Sequence, residues 1–109
     1  MDDTLDLDIE KIRQTCADGR IKWTAHTLER MQERGIEPTD VINCVKNGKI
    51  IEQYPQAYPY PACLILGKKT DNTYIHVVLG YGMDFIWIVT AYEPDEDEWQ
   101  SDLSERRKS

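Results

Sequence analysis

What this sequence has little of already narrows its chemistry. Its three cysteines, Cys16, Cys44 and Cys63, lie far apart and form no CxxC pair. An odd, scattered set fits reduced thiols rather than a disulfide framework, and a zinc site needs closer ligand pairs. All three read as small core residues. The chain has only two histidines, His26 and His76, and no HxH or HxxxH spacing, so no metal site is expected. It lacks a Gly-rich phosphate loop and a GxSxG elbow, so nucleotide-dependent and serine-hydrolase chemistry have no support and no cofactor is expected. No apolar run approaches the roughly 18 residues of a membrane span, so no membrane partner is expected. The opening MDDTLDLDIE is acidic and mixed, which argues against a secretory or transit signal and for a cytoplasmic protein.

Positive charge is also short overall, with 13 Lys and Arg against 20 Asp and Glu. Its distribution qualifies that balance. Five acids sit in residues 1–10 and seven in 93–105, leaving ten basic against eight acidic residues between positions 11 and 92. The centre is mildly basic between acidic ends. An anionic partner is compatible with this balance, although the footprint of a strong general nucleic-acid binder is missing.

A chain of 109 residues with 40% hydrophobic and 9% aromatic content is one folded domain. Ile9, Ile12 and Cys16 are spaced for a helix over 5–17, with Gly19 as its stop. A second helix is expected from Ala25 to Arg34, capped by Thr24 and followed by Gly35. Pro38 suits the first turn of a third helix, whose apolar side is Val41, Ile42 and Val45 and which "KNG" closes. Strands are expected at 49–54, 63–69, 74–80 and 84–92, with "YPQAYPYP" as an extended loop and "TDN" as a turn. Helices first and hairpin-connected strands second predict an α+β domain with N-terminal helices on one face of an antiparallel sheet. The tail after Pro94 is expected to be loosely ordered, with Trp99 pinning it.

Alternation along 74–80 places Tyr74, His76 and Val78 on one face. A five-residue turn over 80–84 pairs Leu79 with Phe85, His76 with Ile88 and Tyr74 with Thr90, with Tyr92 one step beyond. A turn over 70–72 adds Lys68 opposite Tyr74. His76 then centres a polar face with Lys68, Tyr74, Thr90 and Tyr92, while Ile75, Val77, Leu79, Phe85, Trp87 and Val89 form the core face. A turn one residue shorter would break the grouping.

In "HTLERMQERG", His26 and Arg30 share a helical face that Arg34 continues, with Leu28 and Met31 on another side that can meet the core. Such a stripe can hold a phosphate, because imidazole moves protons near neutral pH and guanidinium donates paired hydrogen bonds. The interleaved Glu29 and Glu33 fit an ordinary solvated helix with weak ion pairs at least as well. His76 alone equally fits a satisfied strand histidine. Tyr54, Tyr58 and Tyr60 can stack on bases, although tyrosines beside prolines more often pack a loop.

The segments "WTAHTLERMQERGI", "VKNGKIIEQYP", "CLILGKK", "IHVVLG" and "IVTAYEPDEDEW", in this order, resemble the domain-of-unknown-function family numbered forty-two fifty-eight. That family is similar to RelE/ParE-type toxins and to the barnase–EndoU–colicin–RelE ribonuclease group. The resemblance implies a RelE/barnase-like domain over 20–94; the acidic helical extension at 1–19 lies outside the likeness, and an acidic tail follows at 95–109. The resemblance implies the toxin of a toxin–antitoxin pair, a metal-independent endoribonuclease with an RNA substrate, free or on the ribosome. It also implies a cognate antitoxin, in some members one with a YgiT-type zinc finger. Carried over by residue, His26, Arg30, Arg34, His76, Thr90 and Tyr92 match the family's catalytic pattern. Lys68, Tyr74 and Tyr54 would contact the substrate. A non-catalytic module of the same fold, binding a protein target, is the alternative that the acidic ends favour.

Overall fold

The computed structural model describes residues 6–82 and 84–94. Its elements are α1 (Ile9–Ala17), β1 (Ile21–Lys22), α2 (Ala25–Glu33), α3 (Pro38–Asn47), β2 (Lys49–Tyr54), β3 (Ala62–Lys68), β4 (Tyr74–Tyr81) and β5 (Ile86–Tyr92). The tail expected to be anchored by Trp99 lies outside the described residues.

Local chemistry sets the helix ends. Asp8 caps α1 by accepting from the Glu10 N–H, so that helix begins at Ile9 rather than at residue 5. Thr24 Oγ1 accepts the Thr27 N–H at 3.0 Å and opens α2. Glu37 and Asp40 form a reciprocal capping box around Pro38 at the start of α3. Gly19 and Gly35 follow α1 and α2 at φ of +78° and +70°, the left-handed geometry glycine supplies without strain.

The strands run β1-β5-β4-β3-β2 across one sheet. The sheet is mixed, where wholly antiparallel pairing was expected, because β1 lies parallel to β5 with Ile21 opposite Ile86. Two residues carry no alternation for a sequence reading to find. The strand exists because its neighbour supplies a ladder, the Ile86 N–H donating to the Arg20 carbonyl at 2.9 Å. The other connections are the expected hairpins, β2–β3 and β3–β4 and β4–β5 all antiparallel.

All three helices bury residues against one face of this sheet. Ile12 and Cys16 from α1, Met31 from α2 and Val41, Cys44 and Val45 from α3 meet Cys63, Ile65, Ile75, Val77, Leu79, Ile86, Ile88 and Ala91. Each large aliphatic buried here contributes roughly 1.5–3 kcal/mol. Leu28, offered to the core beside Met31, remains 39% exposed, whereas Met31 is at 1%. α1 is tied in by polar contacts too, Arg13 donating to the Val45 carbonyl at 3.1 Å and the Gly48 carbonyl at 2.5 Å. α3 lies so close to β3 that a Cβ on Gly67 would stand 2.6 Å from Cys44 Sγ. All three cysteines are buried free thiols. Burial pushes Cys44 and Cys63 up to about 12, and raises Cys16 despite the nearby Lys46, so none is poised as a thiolate. Among the described residues no helix is long and apolar enough to cross a membrane.

Candidate functional site on the helix-free face

The β4–β5 hairpin corrects the expected register. Tyr81 pairs with Ile86, Gly80 with Trp87 and Leu79 with Ile88, instead of Leu79 with Phe85. The Gly82 N–H closes the turn on the Phe85 carbonyl at 2.9 Å. This slip changes parity along the first half of β5. Ile86 and Ile88 enter the helix-covered core, while Phe85, Trp87 and Val89, expected in that core, are excluded from it. Between Val78 and Leu79 the register then shifts at a β-bulge, after which Val78 pairs with Thr90 and His76 with Tyr92. One extra residue in β5 restores the parity that the turn changed. His76, Thr90 and Tyr92 therefore share a face as expected, although His76 stands opposite Tyr92 rather than Ile88, and Thr90 opposite Val78 rather than Tyr74.

On β3, Lys68 pairs with Tyr74 and Leu66 with His76, the pairing that the 70–72 turn predicts. The helix-free face thus reads in rows: Lys68 and Tyr74; then Leu66, His76 and Tyr92; then Leu64, Val78 and Thr90; then Ala62, Gly80 and Trp87.

The middle rows hold the polar chemistry. His76 is fully buried, its ring 5.5 Å from that of Tyr92 in an edge-on arrangement. Arg34, the residue that ends α2, donates from Nη1 to Thr90 Oγ1 at 3.1 Å and to the Ala91 carbonyl at 2.9 Å. Thr27 of the same helix donates to the Val89 carbonyl at 3.2 Å. α2 so covers the β5 edge beyond β1, supplying donors where another strand would otherwise have to. Arg34, at the C-cap, is held on that edge by its two bonds to the residues that precede Tyr92 in β5.

The other members of the predicted stripe go elsewhere. Arg30 faces solvent and pairs with Glu33 at 3.8 Å, an exposed ion pair of small energetic weight. His26 is exposed in the first turn of α2. Three side chains of the predicted set, His76, Tyr92 and Thr90, are brought together with Arg34, and two, His26 and Arg30, are not.

At one end of the face, Lys68 Nζ lies 5.0 Å over the Tyr74 ring. Both line an open groove of about 790 Å³ with Lys49, Asn43, Asn47 and Asn72. Three features there were not read from the sequence. Asp40 Oδ1 accepts from the Thr70 N–H and hydroxyl, each at 3.0 Å, stapling the β3–β4 turn to α3. Lys69, buried, lies 3.3 Å from Glu93 and 3.8 Å from Asp71. Burial acts to raise the Asp40 carboxyl, but hydrogen bonds from Glu37 and Thr70 and the charge of Lys69 outweigh it and hold the group below the usual carboxylate range. At the other end, Tyr54, Tyr58, Tyr60, Val78, Trp87 and Val89 line an apolar groove of about 200 Å³. Tyr54 also hydrogen-bonds Glu52 beside it on β2.

Among curated proteins no relative matches the chain. A family described as a domain of unknown function, DUF4258, matches residues 23–93, from the segment before α2 to the end of β5, leaving α1 outside the match. That span covers well over half of the chain and contains every residue of the helix-free face named above, so the protein belongs to the DUF4258 family.

Proposed function

We propose that this protein is the toxin of a toxin–antitoxin pair, and that it cleaves RNA by attack of the 2′-OH without a metal ion. The observation that carries the reading is the cluster on the helix-free face, where His76 meets Tyr92 edge-on at 5.5 Å beside the 3.1 Å bond from Arg34 to Thr90. Membership of the DUF4258 family, which is expected to be similar to RelE/ParE-type toxins, supports it. So do the mildly basic centre of the chain and the Lys68–Tyr74 groove, which suits a polyanionic backbone.

In this reaction the 2′-oxygen forms a bond to phosphorus as its proton passes to a base. The bond to the 5′-oxygen breaks as an acid supplies a proton, leaving a 2′,3′-cyclic phosphate and a 5′-hydroxyl. His76 and Tyr92 are the groups best placed to exchange those protons, each transfer being worth typically 10²–10⁴-fold. Arg34 supplies positive charge to the crowded phosphoryl group, and Thr90 aims it. His26, the other imidazole of the expected catalytic set, is exposed on α2, and a His26→Ala variant is assayed beside theirs. The proposed partners are RNA, free or ribosome-bound, and an antitoxin of the kind carrying a YgiT-type zinc finger. The proposed location is the cytoplasm.

A second reading, a protein-binding module of the same fold without catalysis, is favoured by two observations. The His76 ring is 0% exposed, and the Arg34 guanidinium is already engaged on β5. Cleavage of single-stranded RNA and of ribosome-bound message in excess EDTA separates the two. The nuclease reading expects cyclic-phosphate ends, with a 10²–10⁴-fold loss in His76→Ala and in Tyr92→Phe. Tyr92→Phe keeps the ring and so controls for folding. Intact RNA in both formats would sink it in favour of the protein-binding module, and full cleavage by both variants would remove His76 and Tyr92 from the chemistry.

A further inference from the structure

We infer that the acidic run Asp95-Glu96-Asp97-Glu98 docks in the lysine-lined groove beside the β3–β4 turn of its own chain, where it screens that groove from outside polyanions. The screened ligand comes from the RNA reading, whereas the docking itself does not depend on it. The groove, about 790 Å³, lies between the end of α3 and the end of β3 with its turn. Lys49, Lys68 and Lys69 line it, and no acidic residue is among those that do. Lys69 is already answered by Glu93 and Asp71. Lys49 and Lys68 are exposed and have no ion-pair partner among the described residues. Two unanswered ammonium groups in one concavity attract an anion.

The neighbouring backbone does not oppose that attraction. A helix C-terminus carries partial negative charge, and α3 ends at this groove with Asn47. Its last carbonyls are nonetheless engaged. Asn47 Nδ2 donates to the Asn43 carbonyl, the Gly48 N–H to Cys44, and Arg13 to Val45 and Gly48. The groove is also set before any ligand arrives. Asn43 Nδ2 donates to the Lys68 carbonyl at 2.9 Å, and Asp40 holds Thr70 in the turn. A site already ordered costs its ligand less to occupy.

The path of the chain selects the occupant. Along β5 it passes from Thr90, opposite Val78, to Tyr92, opposite His76, and so heads for the row of Lys68 and Tyr74. Glu93 follows, with its carboxylate 3.3 Å from Lys69 Nζ on the groove wall. Pro94 and then four consecutive carboxylates come next in the sequence. Only β4 separates β5 from β3, a distance of about 10 Å at the usual ~4.8 Å between strands. Four extended residues span up to about 13 Å. The run therefore reaches Lys68, and Lys49 on the next strand lies beyond it. An outside acidic chain would meet the same lysines. The tethered one meets them at an effective concentration on the order of mM. Each exposed charge pair is weak, so a polyanion of higher charge density can still displace the run.

The test treats the full chain, kept dilute, with a carbodiimide that joins carboxylates to amines without a spacer. Mass spectrometry then maps the joined peptides. Crosslinks from residues 95–98 to Lys68 or Lys49 within one chain are expected. Their absence would overturn the docking. Crosslinks confined to dimers would also overturn it, by assigning the groove to the tail of a second copy. The screening is read by anisotropy with labelled twelve-nucleotide oligodeoxythymidylate, which has no 2′-OH and cannot be cleaved by this route. Asp95→Asn, Glu96→Gln, Asp97→Asn and Glu98→Gln together should tighten its binding about 2- to 30-fold, the effect of two ordinary surface ion pairs. Adding Lys49→Gln and Lys68→Gln should abolish that tightening, because nothing is left for the run to cover. Both lysines are exposed, so these changes leave the fold intact. Equal tightening without the lysines would overturn the inference, since the run would then act by diffuse repulsion. Crosslinks within one chain and no oligonucleotide bound by either form would uphold the docking and tell against the RNA reading alone.

Discussion

Ile75, Val77 and Leu79 alternate along β4 with His76, Val78 and Gly80, and the two sets meet different neighbours. The first set lies under three helices and belongs to one continuous aliphatic core. On the second, the small buried cluster is Leu64 and Leu66, flanked by Ile51, Tyr54 and Val78, and the rest is imidazole, phenol, hydroxyl, ammonium and exposed aromatic surface. A sheet covered on one side can spend that side on stability and leave the other for groups that a core would not tolerate. The comparison also separates α1 from the family match. α1 precedes the matched residues, yet Ile12 is 1% exposed within the shared core.

The largest expected break in this comparison is Ile12→Ala. Truncating a fully buried isoleucine should cost about 2–5 kcal/mol, read as a lower urea midpoint at unchanged slope. A loss below 1 kcal/mol would mean that α1 is an appendage rather than part of the core.

Asp40→Asn should have a smaller effect, about 1–3 kcal/mol near neutral pH, as its hydrogen bonds to Thr70 weaken. Because the folded carboxyl sits below its ordinary range, its contribution is fully present above the unfolded value of about 4. It is lost as pH falls through the lower folded value. The gap between wild type and variant should therefore narrow from pH 7 to pH 3. A gap that stays constant in thermal melts would remove the charge from the account.

The smallest effect is expected at Leu28→Ala. Although Leu28 and the buried Met31 share α2, the exposure of Leu28 should hold the change within about 0.5 kcal/mol by urea melt.

Much of the fold was legible because it is written locally. Thr24, Gly35, Pro38 and Gly19 mark helix ends through their own backbone preferences and side-chain hydrogen bonds, which need no distant partner. The turn at 70–72 was readable for the same reason, with Asn72 at φ of 73° and Asp71 accepting the Thr73 N–H at 2.9 Å. β1 was not legible, being two residues long and dependent on β5. Nor was the first half of β5. The run Phe85-Ile86-Trp87-Ile88-Val89 is apolar at every position, so alternation carries no information about which residues face the helices.

The candidate site divides the same way. His76 and Tyr92 were grouped on one face by parity, and the grouping holds only because a bulge compensates for an unexpected turn. The His26–Arg30–Arg34 stripe, by contrast, assumed that four-residue spacing keeps side chains together to the end of the helix. Arg34 lies at the cap, where the backbone leaves helical geometry and β5 offers acceptors, so it turns to the sheet while His26 and Arg30 remain in solvent.

Local sequence, then, was enough for the three helices, the Thr24 cap and the glycine stops of the first two, four of the five strands and the α+β class. These follow from preferences and hydrogen bonds within a few residues of one another. Tertiary structure alone decided the parallel β1, the register and bulge of β5, the exclusion of Trp87 and Val89 from the core and the docking of Arg34 on Thr90. Each of these is a choice between pairings of similar local energy, resolved only when helices bury one face of the sheet and leave the other uncovered by helices.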